Sequence, residues 1–246
     1  MSEKYIAIIQ TGTAIASART RYGDFDMWFI DAMQAEKWQT KTYRVFESLR
    51  FPSIDSLAGV IISGSSAMVT EQQGWSEKAL EWIKSLLNLK VPILAVCYGH
   101  QLLAKALGGT VDWNPNGRQI GQVTMQLTAK AYDDVLLKNS ISPETQNLLL
   151  LASHLQSVIK LPPKVTLLGS TSLDPHHCFR YKDHIWGLQF HPEFSADIIR
   201  EYIQARSADI NAEGLDVEQL LNTVSDVNYG SLILQRFKDI CFSIKQ

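Results

Sequence analysis

The sequence predicts an α/β fold, in which a mainly parallel central sheet is covered by helices on both faces. Two observations support this prediction. Apolar strand-like runs alternate with helical stretches from residue 5 to residue 109, and such alternation is typical of parallel sheets that are buried on both faces. Short strand-like runs then follow one another closely up to residue 190, which indicates a mixed or antiparallel extension of the sheet.

Each element of the first half has its own signal. Short apolar runs predict the strands, and the turn residues Thr11-Gly12 and Ser63-Gly64 end the first and third of them. Residues 77–89 repeat leucine and isoleucine at helical spacing. A glycine pair at 108–109 closes the helix after the fourth strand. The predicted strands are 5–10, 41–46, 59–62 and 92–96, and the predicted helices are 26–35, 77–89 and 101–107.

The second half adds further strands and then becomes helical. Apolar residues repeat at i, i+3, i+4 and i+7 over 217–224, behind an acidic first turn, and a second helical segment spans 232–244. We interpret these two helices as packed on the surface of their own domain; the alternative is an element that docks a partner or covers the site. We therefore divide the chain into a domain at 1–206 and a C-terminal helical appendage at 207–246. The further predicted strands are 122–127, 148–152, 165–172, 177–181 and 185–190, and a helix is predicted at 196–205.

Composition and charge exclude several classes of function. Hydrophobic residues make up 46% of the chain and charged residues 20%, which favours a folded domain with a sizeable core over disorder. The formal net charge of −2 provides no electrostatic basis for binding nucleic acid or an anionic membrane. No apolar run approaches the roughly 20 residues of a membrane-spanning helix. The first residues lack a signal-peptide pattern, so we expect a cytoplasmic protein.

The cysteines and histidines do not form a metal-binding pattern. Cys97, Cys178 and Cys241 are odd in number and far apart, which argues against a disulfide framework and against paired zinc ligands. The chain contains neither a CxxC motif nor two histidines at helical spacing. We therefore predict no metal and no cofactor.

The segment around Cys97 is the most informative part of the chain. An apolar strand ends in Cys97-Tyr98-Gly99-His100-Gln101, a helix follows, and small residues stand at Ala95 and Gly99. This strand–turn–helix pattern is typical of a nucleophile elbow. The first amides of the helix favour the nucleophilic thiolate, and the amide of Tyr98 can stabilise an oxyanion. The alternative is a buried structural cysteine.

A small-residue loop follows the neighbouring predicted strand. Ser63-Gly64-Ser65-Ser66 comes after Val60-Ile61-Ile62, and strands of a parallel sheet end at a common edge. The loop is therefore expected close to Cys97, where the amides of Gly64 or Ser65 could supply a second oxyanion donor. An ordinary turn is the alternative. The Gly-Lys-Ser/Thr spacing of a phosphate-binding loop is absent.

A candidate base and its orienting carboxylate follow another apolar strand. In Gln189-Phe190-His191-Pro192-Glu193, His191 and Glu193 lie two residues apart, which places them on the same side of extended backbone. Pro192 restricts His191 to extended conformations. A thiol nucleophile needs such a base, and the base needs such a carboxylate. His100 is interpreted as a packing residue, His154 as a residue that could line the site, and the other histidines as loop or strand-end residues.

With these motifs together, the chain resembles the class I (triad-type) glutamine amidotransferases, and it is similar to stand-alone proteins related to the amidotransferase domain of GMP synthetase. The resemblance covers about residues 5–205. It implies a flavodoxin-like sheet and hydrolysis of a γ-glutamyl amide through a thioester. By position it implies Cys97 as nucleophile, His191 as base and Glu193 as orienter. It further implies Gly64 and Tyr98 as oxyanion donors.

The resemblance also implies a set of substrate-binding positions. Gln101 and Ser153 match residues that contact the glutamine substrate, and His154 and Gln156 belong to the same segment. Gln156 stands near the place where many relatives have an acidic residue that holds the α-amino group. Ser65 stands where the family usually has a second glycine. These departures concern the identity of the γ-glutamyl substrate more than the chemistry.

Three functions remain open. In the first, the protein hydrolyses glutamine and passes ammonia to an acceptor on a separate synthetase, because the chain contains no synthetase domain of its own. In the second, it is a stand-alone γ-glutamyl peptide or amide hydrolase. In the third, it is a non-catalytic binding or regulatory module that retains the fold, which the intact set of three residues argues against.

Overall fold

A computed structural model describes residues 3–138 and 140–243. Within them, strands form a nine-stranded sheet and a separate two-stranded ribbon. None of the helices in these two ranges is long and apolar enough to cross a membrane. The strands are β1 (Tyr5–Gln10), β2 (Thr40–Arg44), β3 (Leu57–Ile62), β4 (Ile93–Val96), β5 (Thr110–Trp113), β6 (Gln119–Leu127), β7 (Asn147–His154), β8 (Gln156–Lys160), β9 (Val165–Ser170), β10 (Cys178–Tyr181) and β11 (Ile185–Leu188).

The large sheet has a parallel half and an antiparallel half. Its order is β2-β1-β3-β4-β11-β10-β9-β6-β7. The first five strands in this order are parallel to one another, and from β11 onward each neighbouring pair is antiparallel. The predicted α/β class, with a mainly parallel sheet and an antiparallel extension, is confirmed.

Helices cover both faces of the sheet. The alternation of β1 shows how the faces divide, because Ile6 and Ile8 belong to one apolar cluster whereas Ala7 and Ile9 belong to the other. The helices are α1 (Ala16–Tyr22), α2 (Phe25–Met33), α3 (Val45–Ser48), α4 (Gly74–Leu86), α5 (Tyr98–Ala106), α6 (Ala196–Ala205), α7 (Ser207–Ala212), α8 (Val217–Thr223) and α9 (Tyr229–Ser243). The first cluster is covered by α2, α6 and α9, and the second by α4 and α5.

Several elements differ from the sequence-based prediction. The strand predicted at 41–46 ends at Arg44, because the chain turns there into the short helix α3. The helix predicted from residue 101 begins at Tyr98, directly after the elbow. Sequence patterns also missed α1, β5 and β8. Among residues 3–138 and 140–243, β5 and β8 pair with each other and lie outside the large sheet. Neither strand contains a long apolar run that would mark it in the sequence.

The segment after residue 206 packs closely on the domain. The ring of Phe237 in α9 meets that of Trp186 in β11 edge-on at 6.3 Å between centroids. Gln122 in β6 accepts two hydrogen bonds from Ser225, at 3.0 and 2.7 Å. Residue 244, at the end of the second predicted C-terminal helix, lies outside the described residues.

Candidate active site

Three neighbouring strands bring the predicted site residues together. β4 lies between β3 and β11, and all three are parallel, so their carboxyl ends meet at one edge of the sheet. The Ser63–Ser66 loop follows β3, Cys97 follows β4, and His191 comes three residues after the end of β11. The topology therefore assembles three segments that lie up to 128 residues apart in the chain.

Cys97 has the strained backbone expected at an elbow. Its φ of 51° and ψ of −102° are unusual for a residue with a Cβ. A Cβ on Gly99 would lie 2.5 Å from the carbonyl oxygen of Ile62, so only glycine allows α5 to start this close to β3. The Cys97 side chain is buried at 5% exposure, and its Sγ lies 3.8 Å from the carbonyl oxygen of Ser153.

His191 and Glu193 form a buried pair beside the thiol. The distance from His191 Nδ1 to Glu193 Oε1 is 2.7 Å. Burial alone would lower the pKa of His191, but the charges of Glu193 and Cys97 outweigh burial and raise this pKa to about 10. The pair therefore holds a proton on the imidazole next to the sulfur.

Aromatic rings hold the His191 imidazole in place. The ring of Phe194 stacks on it with centroids 4.0 Å apart, and Phe25 of α2 lies parallel at 6.1 Å. Trp28 supports Phe194 edge-on at 5.6 Å. The early segment around residues 22–29, to which sequence patterns assigned no chemical role, thus supplies a wall behind the imidazole.

The loop after β3 lies directly against Cys97 and His191. A Cβ built on Gly64 would lie 2.7 Å from His191 Cε1 and 3.6 Å from Cys97 Cβ. The Gly64 carbonyl accepts hydrogen bonds from the Thr11 hydroxyl at 3.0 Å and from the Ser63 hydroxyl at 2.9 Å. Thr11, which sequence analysis treated only as a turn residue, therefore fixes this loop.

A cleft opens onto the sulfur of Cys97. Sequence analysis had singled out seven of its lining residues. The cleft is lined by Ser65, Ser66, Ala67, Met68, Cys97, Tyr98, Gln101, Arg118, Ser153, His154, Leu155, Gln156 and Arg206. Gly64 and His191 lie beside Cys97 without lining the cleft, and Glu193 is bound to His191.

Hydrogen bonds fix the predicted substrate-binding residues in the cleft. Gln101 Nε2 donates to the Gln156 carbonyl at 2.8 Å and to Gln189 Oε1 at 3.1 Å. Gln156 Nε2 donates to Thr70 Oγ1 at 2.6 Å, which leaves Gln156 Oε1 buried without a partner among residues 3–138 and 140–243. This oxygen is a free acceptor beside the cleft.

Two arginines in the cleft were not identified as site residues from the sequence. Arg118 begins the glycine-containing segment Arg118-Gln119-Ile120-Gly121, and Arg206 follows α6 in a stretch without a recognisable motif. Arg206 Nη1 donates to Ser153 Oγ at 2.8 Å, so this guanidinium binds the same residue whose carbonyl oxygen contacts the sulfur. Only the fold reveals this neighbourhood.

A buried polar cluster lies behind the cleft. His154, Asp174 and His177 bring ligand-type atoms within 4.8 Å of one another, and sequence analysis had interpreted His177 as a loop or strand-end residue. Hydrogen bonds already use most of these atoms. His177 Nδ1 contacts Asp174 at 3.0 Å, and the two nitrogens of His154 contact the Gln156 carbonyl and the Gln119 side chain. The cluster therefore braces the segment that carries Ser153 and Gln156.

The fold and these side chains define an α/β protein with a cysteine, a histidine and a glutamate in contact at the carboxyl edge of its sheet. A family model for class-I glutamine amidotransferases matches residues 22–206. The chain belongs to this family.

Relatives and solved structures agree with this family. The chain is 29% identical to γ-glutamyl peptidase 4 of Arabidopsis thaliana, over 82% of this chain and 80% of that protein. It is also 29% identical to a glutamine-hydrolysing GMP synthase of Wigglesworthia glossinidia brevipalpis, over 78% of this chain but only 34% of that protein. The structure of a glutamine amidotransferase from Thermotoga maritima has the same fold, with a TM-score of 0.77 and 18% identity over 97% of this chain and 99% of that one.

Proposed function

We propose that this chain hydrolyses the amide bond of a γ-glutamyl substrate through a thioester on Cys97. The observation that carries the proposal is the position of Cys97, at the elbow, beside His191 of the buried His191–Glu193 pair. A thiolate beside a protonated imidazole is a ready nucleophile. The intact constellation also argues against a non-catalytic module.

The reaction has two halves. The Cys97 thiolate attacks the γ-carbonyl carbon, the C–N bond breaks, and His191 gives its proton to the departing amine. A water molecule then attacks the thioester while His191 accepts its proton. The C–S bond breaks, and glutamate leaves with the regenerated thiolate on Cys97. Glu193 orients the imidazole in both halves.

Two backbone amides are suited to hold the oxyanion. Tyr98 is the first residue of α5, so its N–H lacks an intrahelical acceptor. In the loop after β3, the Gly64 carbonyl is bound by Thr11 and Ser63, and a trans peptide directs the next N–H the opposite way. This supports Ser65, which lines the cleft, as the second donor, with Gly64 providing room for His191.

The leaving group distinguishes two candidate substrates. A glutaminase would release ammonia to an acceptor on a separate synthetase; two thirds of the similar GMP synthase have no counterpart in this chain. A γ-glutamyl peptide hydrolase needs no second protein. The similarity to a γ-glutamyl peptidase over four fifths of both chains supports the peptide hydrolase. The two arginines in the cleft support it as well, since free glutamine offers no second carboxylate.

Glutamate release by the purified protein tests this proposal. L-Glutamine and γ-glutamylalanine are each supplied to the wild type and to the Cys97→Ala and His191→Asn variants. We expect activity in the wild type and a loss of roughly 10³-fold or more in both variants, because residues of such a set act as a unit. Hydroxylamine should trap the acyl-enzyme as γ-glutamyl hydroxamate. Undiminished turnover in Cys97→Ala, or no turnover and no hydroxamate with either substrate, would overturn the proposal.

A further inference from the structure

Arg206 brings an unneutralised positive charge to the cleft. Its guanidinium lies 4.9 Å above the Tyr202 ring, and its side chain is half-buried. No carboxylate lies within 4 Å of it in the part of the chain that the structure describes. Burial lowers the pKa of Arg206 and nearby Arg118 lowers it further, whereas the charges of Tyr202, Cys97 and Asp209 oppose this shift. A half-buried cation without a salt-bridge partner is well suited to bind an anion.

Arg118 stands beside it in a fixed orientation. Its Nε and Nη2 each donate to one oxygen of Glu213 at 2.8 Å, and Asp209 lies 3.9 Å from Nη2. The Arg118 side chain is only 6% exposed. A bidentate pair fixes the plane of a guanidinium, and the Nη1 group lies outside this pair. The segment that follows α7 thus determines how Arg118 faces the cleft.

Aromatic contacts show where Arg206 lies relative to His191. Arg206 covers Tyr202, the Tyr202 ring lies 4.9 Å from that of Phe194, and Phe194 stacks on His191. Packed rings therefore connect Arg206 to His191, and its hydrogen bond to Ser153 places it in the cleft beside Cys97. Gln101 and Gln156 come instead from α5 and β8. Since His191 protonates the departing amine, the leaving group lies on the arginine side.

From this geometry we infer that Arg206 and Arg118 form a carboxylate subsite for the leaving group. The inference rests on the proposed hydrolysis at Cys97. The preferred substrates are then γ-glutamyl amino acids and peptides in which the amine released carries a free carboxylate close to the scissile nitrogen. In γ-glutamylalanine this carboxylate carbon is two bonds from that nitrogen. Glu213 acts as a positioning residue, through Arg118.

Three substrates separate this subsite from other uses of the arginines. γ-Glutamylalanine has the leaving-group carboxylate, γ-glutamylalaninamide has the same leaving group with the carboxylate amidated, and γ-glutamylmethylamide retains only the carboxylate of the glutamyl part. Steady-state kcat and KM are measured for each. We expect the wild type to prefer γ-glutamylalanine over its amide by about 10- to 100-fold in kcat/KM, the range of a hydrogen-bonded charge pair.

Matched variants assign the preference to particular residues. Arg206→Gln should lower kcat/KM for γ-glutamylalanine by about 10- to 100-fold and leave the two other substrates within about threefold, and Arg206→Lys should recover part of the loss. Glu213→Gln should raise KM for γ-glutamylalanine more than it lowers kcat. Arg50→Gln changes an exposed arginine that does not line the cleft, and it should retain the preference.

Results that would overturn the carboxylate subsite differ from results that would refute the proposed hydrolysis. An equal loss on all three substrates in Arg206→Gln would mean that Arg206 is structural or binds the α-carboxylate, and would overturn the inference. Equal kcat/KM of the wild type for γ-glutamylalanine and its amide would overturn it too. Absence of turnover and of trapped hydroxamate with all three substrates would instead refute the proposed hydrolysis. Thermal unfolding of each variant checks that it is folded.

Discussion

The backbone conformation of Cys97 is strained, and hydrogen bonds to neighbouring elements hold it in place. A non-glycine residue in a sparsely populated conformation costs on the order of 1–3 kcal/mol, and Cys97 has a φ of 51°. Its N–H donates to the Leu188 carbonyl at 2.8 Å, and its carbonyl accepts from Gln101 at 3.1 Å. β11 and α5 therefore hold the elbow from both sides and keep the sulfur at the sheet edge.

A methyl group at residue 64 is expected to disable the site without unfolding the protein. In Gly64→Ala the new Cβ would lie 2.7 Å from His191 Cε1, so the imidazole or the loop must move. Displacement of a catalytic group by about 1 Å costs roughly 100-fold in rate. We expect kcat for γ-glutamyl substrates to fall by about this factor, with a smaller change in KM, in steady-state assays.

Gly74→Ala is the control for Gly64→Ala. Gly74 is the exposed first residue of α4, and no atom of the described residues beyond its chain neighbours and its own helix backbone lies within 4 Å of its Cβ position. This variant should retain wild-type kcat. Wild-type kcat in Gly64→Ala would show that Gly64 does not border the imidazole during turnover.

Residues with a local signature could be predicted from the sequence, and residues without one could not. Cys97 and His191 each end an apolar strand, and small or turn-forming neighbours mark both positions. Thr11 and Phe25 carry no such mark, because their contributions are contacts with Gly64 and His191, which are distant in the chain. The fold alone brings them to the site.

At the scale of elements, α9 supports the segment that carries the proposed base. Gly230, in the first turn of α9, packs directly against the backbone of Pro192. Pro192 links His191 to Glu193. The same helix continues across β3, where Cys241 fills the space beside Gly59. The C-terminal helix is therefore part of the framework of the site.

A methyl group on Gly230 is expected to disturb both stability and catalysis. In Gly230→Ala the new Cβ would overlap the Pro192 carbonyl oxygen and lie 2.8 Å from Pro192 Cα. Overpacking of this kind costs about 1–3 kcal/mol. We expect thermal unfolding at a lower temperature, and a reduced kcat even well below that temperature, because the His191–Glu193 pair shifts.

Gly74→Ala is also the control for Gly230→Ala, and one result would contradict the prediction for Gly230→Ala. Gly74→Ala replaces a glycine in the first turn of another helix, with open space around it, and should be neutral or slightly stabilising. Loss of stability in Gly230→Ala with an unchanged kcat would show that α9 stabilises the fold without positioning His191.

Strand and helix periodicity predicted most elements, and it failed where an element lacks a full apolar face. β1 and α6 match their predicted bounds, 5–10 and 196–205. α1 is rich in polar residues and buries only Ala18, and β5 has no fully buried residue. Hydrophobic patterns report burial, so weakly buried elements escape them.

For the whole molecule, the substrate cleft depends on contacts between distant parts of the chain. Arg118 precedes β6, Arg206 follows α6, and the carboxylate that holds Arg118 comes from residue 213. The meeting of these two arginines in the cleft cannot be predicted from sequence spacing, because no local pattern joins their positions. The folded structure shows that they lie together.

Buried histidines behind the cleft make the stability of the folded protein depend on pH. His100 is fully buried against Phe179, with ring centroids 4.9 Å apart. Burial lowers the pKa of His100 to about 3 and that of His154 to about 4. Nearby Asp174 favours the protonated forms but does not offset burial. Both rings are therefore neutral in the folded protein at neutral pH.

His100→Leu is expected to weaken the acid sensitivity of folding. An unfolded histidine takes up its proton near pH 6.5, so the unfolded chain binds more protons than the folded one between pH 6.5 and about 4, and the free energy of unfolding falls as pH falls. Each such histidine contributes a slope of about 1.4 kcal/mol per pH unit. Urea unfolding at several pH values should show a slope reduced by about this amount between pH 6 and 4 in His100→Leu, and parallel curves above pH 7.5, where His100 is neutral in both states. An unchanged slope below pH 6 would show that His100 takes up its proton in the folded protein as readily as in the unfolded chain.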